Sequence, residues 1–167
     1  DAGMRVFSWR NLPEIYRLWA SGRPVTWAEH HQWFRRVLES PVHLLWIVAI
    51  PVDEVFNAAG SCYLIGIVHL DFEDPPAAWV SIYLTPGHTG KGYGPDAIRQ
   101  ACAQGFARWP EMSQASALIR GDNLPSIKSF RKAGFQFPNE IPYWCGASLY
   151  RKDVTSAVAG RQNEDGT

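Results

Sequence analysis

The chain has 167 residues, 46% of them hydrophobic and 13% aromatic, which suits one compact domain with a sizeable core, and no second domain is expected. Sixteen basic residues balance sixteen acidic ones, so no overall field draws the protein to nucleic acid or an anionic membrane, and any anion must be held by a local device. The three cysteines, Cys62, Cys102 and Cys145, are widely spaced without a CxxC pair; they argue against a disulfide framework or a zinc site, and no metal centre is expected.

No apolar run approaches the length of a membrane span, and the first residues lack the basic-then-apolar order of a signal peptide, so a soluble cytoplasmic protein is expected. Asp1-Ala2-Gly3, ahead of Met4, is set aside as an added leader rather than part of the fold. Residues 4–9 then read as a first strand. Asn11-Leu12-Pro13-Glu14 opens a helix with a cap candidate, an early proline and an acid, and places Ile15, Leu18 and Trp19 at helical spacing. After a Ser-Gly-Arg-Pro turn at 21–24, Thr26 and Glu29 form a capping-box pattern for a second helix running to about residue 39.

Residues 44–50 are a short, nearly continuous apolar strand, and 51–59 a turn. The next strand, 62–72, alternates in its later part: Val68, Leu70 and Phe72 share one face, His69 and Asp71 the other. Residues 79–84 repeat the arrangement, with Val80, Ile82 and Leu84 opposed to Ser81 and Tyr83. Glu73-Asp74-Pro75-Pro76 joins the two, so an antiparallel hairpin is the economical pairing, and its two polar faces are candidates to line one wall. A helix over 95–109, a strand over 114–120 and a helix over 123–133 stopped by Gly134 follow. Closing strands are expected near 135–137 and 147–151. Residues 154–167 carry few bulky apolar side chains and are expected to form a disordered tail, giving one domain over 4–153.

Thr89-Gly90-Lys91-Gly92-Tyr93-Gly94, between a strand and a helix, removes side chains where backbone amides can converge on a phosphate at the positive end of a helix dipole. A nucleoside-triphosphate loop requires GxxxxGK followed by Ser or Thr, but Lys91 is followed by Gly92. A dinucleotide GxGxxA pattern fits Gly92 to Ala97 formally, yet it stands several residues from the strand end and lacks the acidic residue about twenty positions on. Coenzyme A is the third reading, its pyrophosphate held by amides at the helix N-terminus.

The flanking text decides among them. Val80-Ser81-Ile82-Tyr83-Leu84-Thr85-Pro86, the glycine loop, and Asn123-Leu124-Pro125-Ser126 through Phe130 to Gly134-Phe135 together resemble the GNAT superfamily of acetyl-CoA-dependent N-acetyltransferases. The resemblance implies an α/β single domain with a mixed, mostly antiparallel and partly split sheet flanked by about four helices. It further implies that Ile82, Tyr83 and Leu84 hold the pantetheine arm and thioester through their main chain, that Thr89, Gly90, Lys91, Gly92, Tyr93 and Gly94 cradle the pyrophosphate, and that Asn123, Ser126 and Phe130 belong to the cofactor segment. Two positions depart from the family pattern: Thr89 stands where a Gln or Arg is usual, and Phe130 where many relatives carry a proton-donating tyrosine. Asn123 also suits a plain helix cap.

Acyl transfer needs a neutral amine, a stabilised oxyanion and a leaving thiolate. Backbone amides between Ser81 and Leu84 are expected to serve the oxyanion; His69 or Asp71, directly or through a held water, is the expected general base, a contribution of about 10²- to 10⁴-fold; and solvent, Tyr83 or Tyr143 is the expected proton source for the thiolate. The helical text from Ser21 to Phe34 is similar to the subgroup that acetylates nucleotide-linked amino sugars, with Arg23, Trp27 and His30 as acceptor contacts, although Trp27, His30, Phe34 and Val37 also make one apolar stripe. A protein N-terminus or another small-molecule amine is an alternative acceptor, and a degenerate acyl-CoA-binding sensor an alternative to an enzyme. Oligomeric state is not readable.

Overall fold

The computed structural model describes residues 1–52 and 62–151. In chain order the elements are α1 (Ala2–Arg10), α2 (Pro13–Tyr16), α3 (Trp27–Glu39), β1 (His43–Pro51), β2 (Cys62–Asp71), β3 (Ala77–Leu84), α4 (Tyr93–Arg108), β4 (Gln114–Arg120), α5 (Leu124–Lys132) and β5 (Trp144–Tyr150). The strands lie in sequence order across one five-stranded sheet, antiparallel except between β3 and β4. This is the mixed α/β domain expected, with five helices among the described residues.

The first element is a correction. Residues 4–9 form a helix, not a strand, because Gly3 and Val6 are buried at a spacing of three, and because the Asp1 carboxylate accepts from the Gly3 amide and caps the helix. Asp1-Ala2-Gly3 is part of the fold and not an added leader: it supplies both the cap and the first buried position, and a Cβ on Gly3 would come within 3.2 Å of the Phe34 ring. Strand propensity in Val6, Phe7 and Trp9 gives way to burial against α3.

The α3 capping box forms as read, with Thr26 Oγ1 accepting from the Glu29 amide and the Glu29 carboxylate accepting from Thr26 N–H. The β2–β3 hairpin pairs antiparallel with His69 opposite Ser81. Gly134 follows α5 with a φ of +98°, the left-handed geometry of a C-terminal glycine. In place of a strand at 135–137 there is a single bridge, Gln136 to Ser148, and β5 starts at Trp144. Most of the turn read at 51–59 and the tail read at 154–167 fall outside the described residues.

Each sheet face has its own core. Val68, Leu70, Phe72 and Val80 pack with Ile98, Cys102 and Phe106 of α4 and Ile127 and Phe130 of α5. On the opposite face Ile67 and Tyr83 pack with Val6 of α1, Ile15 of α2 and the half-buried Trp33 and Phe34 of α3. The polar alternation in β2 and β3 is therefore directed under the N-terminal helices.

Candidate active site

Pairing of Ile67 with Tyr83, His69 with Ser81 and Asp71 with Trp79 sets the odd-numbered positions of both strands on one face. There they floor a cavity of about 260 Å³, roofed by Val6 and Arg10 of α1 and by Glu29, His30 and Trp33 of α3. A shallower groove of about 580 Å³ follows the outer flank of α3 past His31 and Arg35, and shares none of this floor.

His69 is 7% exposed, has the Trp33 ring edge-on at 5.7 Å between centroids, and lies with its Nε2 3.3 Å from His43 Nδ1. Burial, followed by the nearby His43, lowers its pKa to about 4, against a smaller upward pull from Asp71. It is neutral at pH 7 and has a lone pair able to accept a proton. The depressed value also bears on stability. An unfolded histidine takes up its proton near 6.5, so the unfolded chain binds more protons between pH 6.5 and 4. Stability from this group is complete above pH 6.5 and falls on acidification toward pH 4, by at most about 3 kcal/mol. Urea unfolding at both ends of that window should show the loss, and His69→Gln should flatten it.

Asp71 ends β2 on the cavity rim, where its Oδ1 accepts from the Glu73 amide at 3.0 Å. The Tyr83 hydroxyl donates to the Val6 carbonyl at 3.2 Å and burial raises its pKa, so its proton is committed to holding α1 on the sheet. Tyr143 is 66% exposed beside Trp144 and lies outside the cavity. The acceptor residues read from sequence separate. His30 lines the cavity and donates from Nε2 to the Gly3 carbonyl at 2.9 Å, its pKa lowered by burial. Arg23 instead clamps Glu29 through two hydrogen bonds of 2.6 and 3.2 Å, with Glu29 held at about 2 chiefly by that contact, and neither Arg23 nor the exposed Trp27 lines the cavity.

The other half of the site is the gap in the sheet. β3 pairs with β4 only from Ala77 to Trp79, and beyond that the two strands part. The Thr85 amide donates to the Ile65 carbonyl at 2.7 Å, so by antiparallel alternation residues 79, 81, 83 and 85 bond toward β2 while Ile82 and Leu84 turn their N–H and C=O into the gap. Tyr83 thus gives its main chain to the ladder, and Ile82 and Leu84 present theirs. At the mouth of the gap Gly92 is the N-cap of α4 at φ +92° without a side-chain cap, so the Tyr93 and Gly94 amides have no intrahelical partner. A Cβ at Gly90 or Gly92 would meet nothing within 4 Å, whereas Gly94 packs against Ser129 Oγ. Thr89 and Lys91 are exposed; His88 is tied to Thr85 at 3.0 Å.

Asn123 caps α5 by accepting from the Ser126 amide at 3.3 Å. Phe130 is 2% exposed and edge-on to Phe135, a core side chain with no polar atom to give. An open glycine cradle at a helix N-terminus, continuous with a split strand edge, suits a pyrophosphate followed by a pantetheine arm.

A family model for the acetyltransferase (GNAT) domain matches residues 1–136. The chain belongs to the GNAT acetyltransferase family. It is an N-acetyltransferase of the acetyl-CoA-dependent kind. Among solved structures, spermidine N-acetyltransferase from Vibrio cholerae, in complex with CoA and spermine, is similar at a TM-score of 0.73 and 15% identity over 92% of each chain. A domain from Methanocaldococcus jannaschii DSM 2661 is similar at 0.71 and 19% identity, covering 88% of this chain and 90% of that one. The aminoglycoside acetyltransferase AAC(6')-Ib, in complex with coenzyme A and kanamycin, is similar at 0.67 and 19% identity, over 92% and 91%. At such identities the likeness is one of fold. Among curated proteins none matches the chain by sequence.

Several residues of this GNAT site escape sequence reading. Gly66 of β2 is one: a Cβ there would come within 2.2 Å of the Tyr83 carbonyl oxygen. Arg10 is another, in the cavity lining over the Trp19 ring at 4.4 Å, with Nη1 shielded and lacking a hydrogen-bond partner among the described residues. His43 and Glu73 join His69 only through the β1–β2 register, which pairs His43 with Asp71. Ligand atoms of His43, Asp71 and Glu73 lie within 4.8 Å of one another, but both His43 nitrogens are engaged in hydrogen bonds.

Proposed function

We propose that this enzyme moves an acetyl group directly from acetyl-CoA to the primary amine of a compact small molecule, with His69 receiving the amine proton. The observation that carries the reading is the juxtaposition of a neutral, buried His69 in the cavity floor with the open edge of β3 one strand away. Bound acetyl-CoA supplies an acetyl thioester. The residues of the chain do the rest. N–H groups at Ile82 and Leu84 are the donors available to the oxyanion, and backbone donors of this sort contribute about 10²- to 10³-fold. As the amine nitrogen bonds to the carbonyl carbon and the C–S bond breaks, the nitrogen's proton passes to His69. With Tyr83 committed to Val6 and Phe130 apolar, solvent protonates the thiolate, a weak enough base at a thiol pKa of about 8.5.

Direct attack is favoured over an acetyl-cysteine intermediate. Cys102 is buried with its thiol pushed up to about 12, Cys145 is buried, and Cys62 begins β2, seven positions or roughly 23 Å of strand from His69. Thiol release in the absence of amine should therefore show no stoichiometric burst.

The acceptor is inferred from the lining. Arg10 and Asp71 contribute one charge of each sign, while Glu29 is neutralised by Arg23, so a single-amine compound suits the cavity better than a polyamine. The amines bound in the complexes of similar fold, spermine and kanamycin, support an amine acceptor in general. An amino sugar linked to a nucleotide is the narrower reading; Arg23, the cation expected among its contacts, is spent on Glu29, and about 260 Å³ suits one sugar-sized ring. A panel of glucosamine, a nucleotide-linked amino sugar, spermidine and a peptide with a free N-terminus, assayed for thiol release, ranks these. Faster turnover of spermidine than of every single-amine compound would overturn the acceptor assignment.

For the cradle, Gly92→Val forces a β-branched residue into positive φ at the phosphate-facing turn, at a cost of about 1–2 kcal/mol. Coenzyme A affinity should fall about tenfold by calorimetric titration, and an unchanged affinity would contradict the phosphate assignment.

A further inference from the structure

The side chains behind His69 form a line to the surface. Glu73, in the β2–β3 turn, has its carboxylate Oε1 3.1 Å from His43 Nε2, and His43 Nδ1 lies 3.3 Å from His69 Nε2. The His43 side chain is 1% exposed and that of Glu73 52%, so the line runs from solvent through the sheet edge into the cavity. An ionised carboxylate only accepts hydrogen bonds, so the neutral form of His43 that fits this contact carries its proton on Nε2 and has a bare Nδ1. That nitrogen in turn accepts from His69, which therefore carries its proton on Nε2 and has a bare Nδ1. Asp71 does not compete for this proton: its Oδ1 is 3.9 Å from His43 Nδ1, beyond hydrogen-bond range, and accepts from the Glu73 amide.

We propose that Glu73 and His43 are positioning residues that fix the tautomer of His69 with its Nδ1 lone pair available as the base, and that they relay the acceptor's proton outward to Glu73. The proposal rests on His69 being the base. When His69 Nδ1 takes a proton from the amine, its Nε2 proton moves to His43 Nδ1 and the His43 Nε2 proton moves to Glu73; each ring gives up one proton as it gains another, and the carboxylic acid then loses its proton to water. Both rings, left protonated on Nδ1, are reset when a proton re-enters through Glu73 and the His69 Nδ1 proton leaves to water in the cavity. The other groups facing His69 are Ser81 opposite it on β3, Asp71 on its own strand, and on α3 the Trp33 ring edge and the Arg36 charge. A relay answers a difficulty in the site: a base whose pKa lies at about 4 is a poor resting place for a proton at neutral pH, and passing it on relieves that cost.

The relay is tested on the full chain labelled with ¹⁵N-histidine, without any ligand, by recording the tautomer of each ring in the wild type and in Glu73→Gln. Glu73 is exposed, so the variant should fold. The expected result is the Nε2-protonated form for both His43 and His69 in the wild type, and loss of that uniform state for His43 and His69 in Glu73→Gln, whose amide can donate as well as accept. Nδ1 protonation of either ring in the wild type, or spectra unchanged by the substitution, would overturn the proposal. In turnover, Glu73→Gln should lower kcat about tenfold or more with KM for acetyl-CoA unchanged and shift the acid limb of the pH profile, which a merely structural role leaves in place. If His69→Ala abolishes turnover but Glu73→Gln matches wild type in kcat and pH profile, the relay fails and the base stands; if His69→Ala matches wild type, both fail.

Discussion

Replacing His69 by alanine is expected to lower kcat by about 10²- to 10⁴-fold and to leave the affinity for coenzyme A intact. His69 is the one imidazole that combines burial, a place in the cavity floor and a hydrogen-bonded partner behind it, and it sits opposite Ser81 of β3, one strand from the opened edge. His30 shares the cavity, but its Nε2 is occupied by the Gly3 carbonyl and it belongs to an aromatic stack with Phe7 and Phe34. Coenzyme A is assigned to the other side of β3, so the substitution separates kcat from cofactor binding. The pH profile gives a second reading. With a pKa of about 4, His69 stays unprotonated through the mildly acid range, so the acid limb of the wild-type profile should fall near pH 4 rather than near 6.5. Steady-state thiol release across pH measures both quantities. An unaltered kcat in His69→Ala would move the proton to Asp71 or to solvent.

Gly66→Ala should have the largest effect of any single methyl group in the sheet. Gly66 stands opposite Leu84, and a Cβ would fall 2.2 Å from the Tyr83 carbonyl oxygen and 2.9 Å from Leu84 Cα, both backbone atoms that no rotamer change can move. β3 must then shift away from β2 at the point where Ile82 and Leu84 face the gap. Overpacking of this kind costs about 1–3 kcal/mol or more, and a displacement near 1 Å at a positioning element costs about 10²-fold in rate. Urea unfolding should show the loss of stability and calorimetry a weakened coenzyme A complex. Wild-type stability with wild-type affinity would mean that the close approach of the two strands does not set the geometry of the cofactor edge.

Local patterns carry much of this architecture in the sequence. Alternation in residues 68–72 and 79–84 fixes the hairpin and its polar side, Thr26 and Glu29 announce α3, and the glycines announce the α4 cradle. What escaped depends on pairings distant in the chain. The helix at 2–10 was hidden because its Val, Phe and Trp favour strands locally, while burial of Gly3 and Val6 against α3 decides the outcome. His43 lay one residue outside the apolar run at 44–50, and only the β1–β2 register brings it to His69. Arg23 and Trp27, prominent in the text before α3, turn out to serve the helix start and an exposed aromatic contact with Phe7, because the capping box recruits Glu29 and Glu29 recruits Arg23. Thr89 leaves the cradle dependent on backbone amides, as its open glycines allow.

The central claim joins the cradle, the opened edge and His69 into one transfer site. It is tested most directly by incubating the purified protein with acetyl-CoA and the amine panel and quantifying free coenzyme A and N-acetylated product together. The account predicts that the two appear in equal amounts, only when protein and amine are both present, and most rapidly for a single-amine acceptor. Tight binding of acetyl-CoA with no amine-dependent thiol release from any class of amine would contradict it.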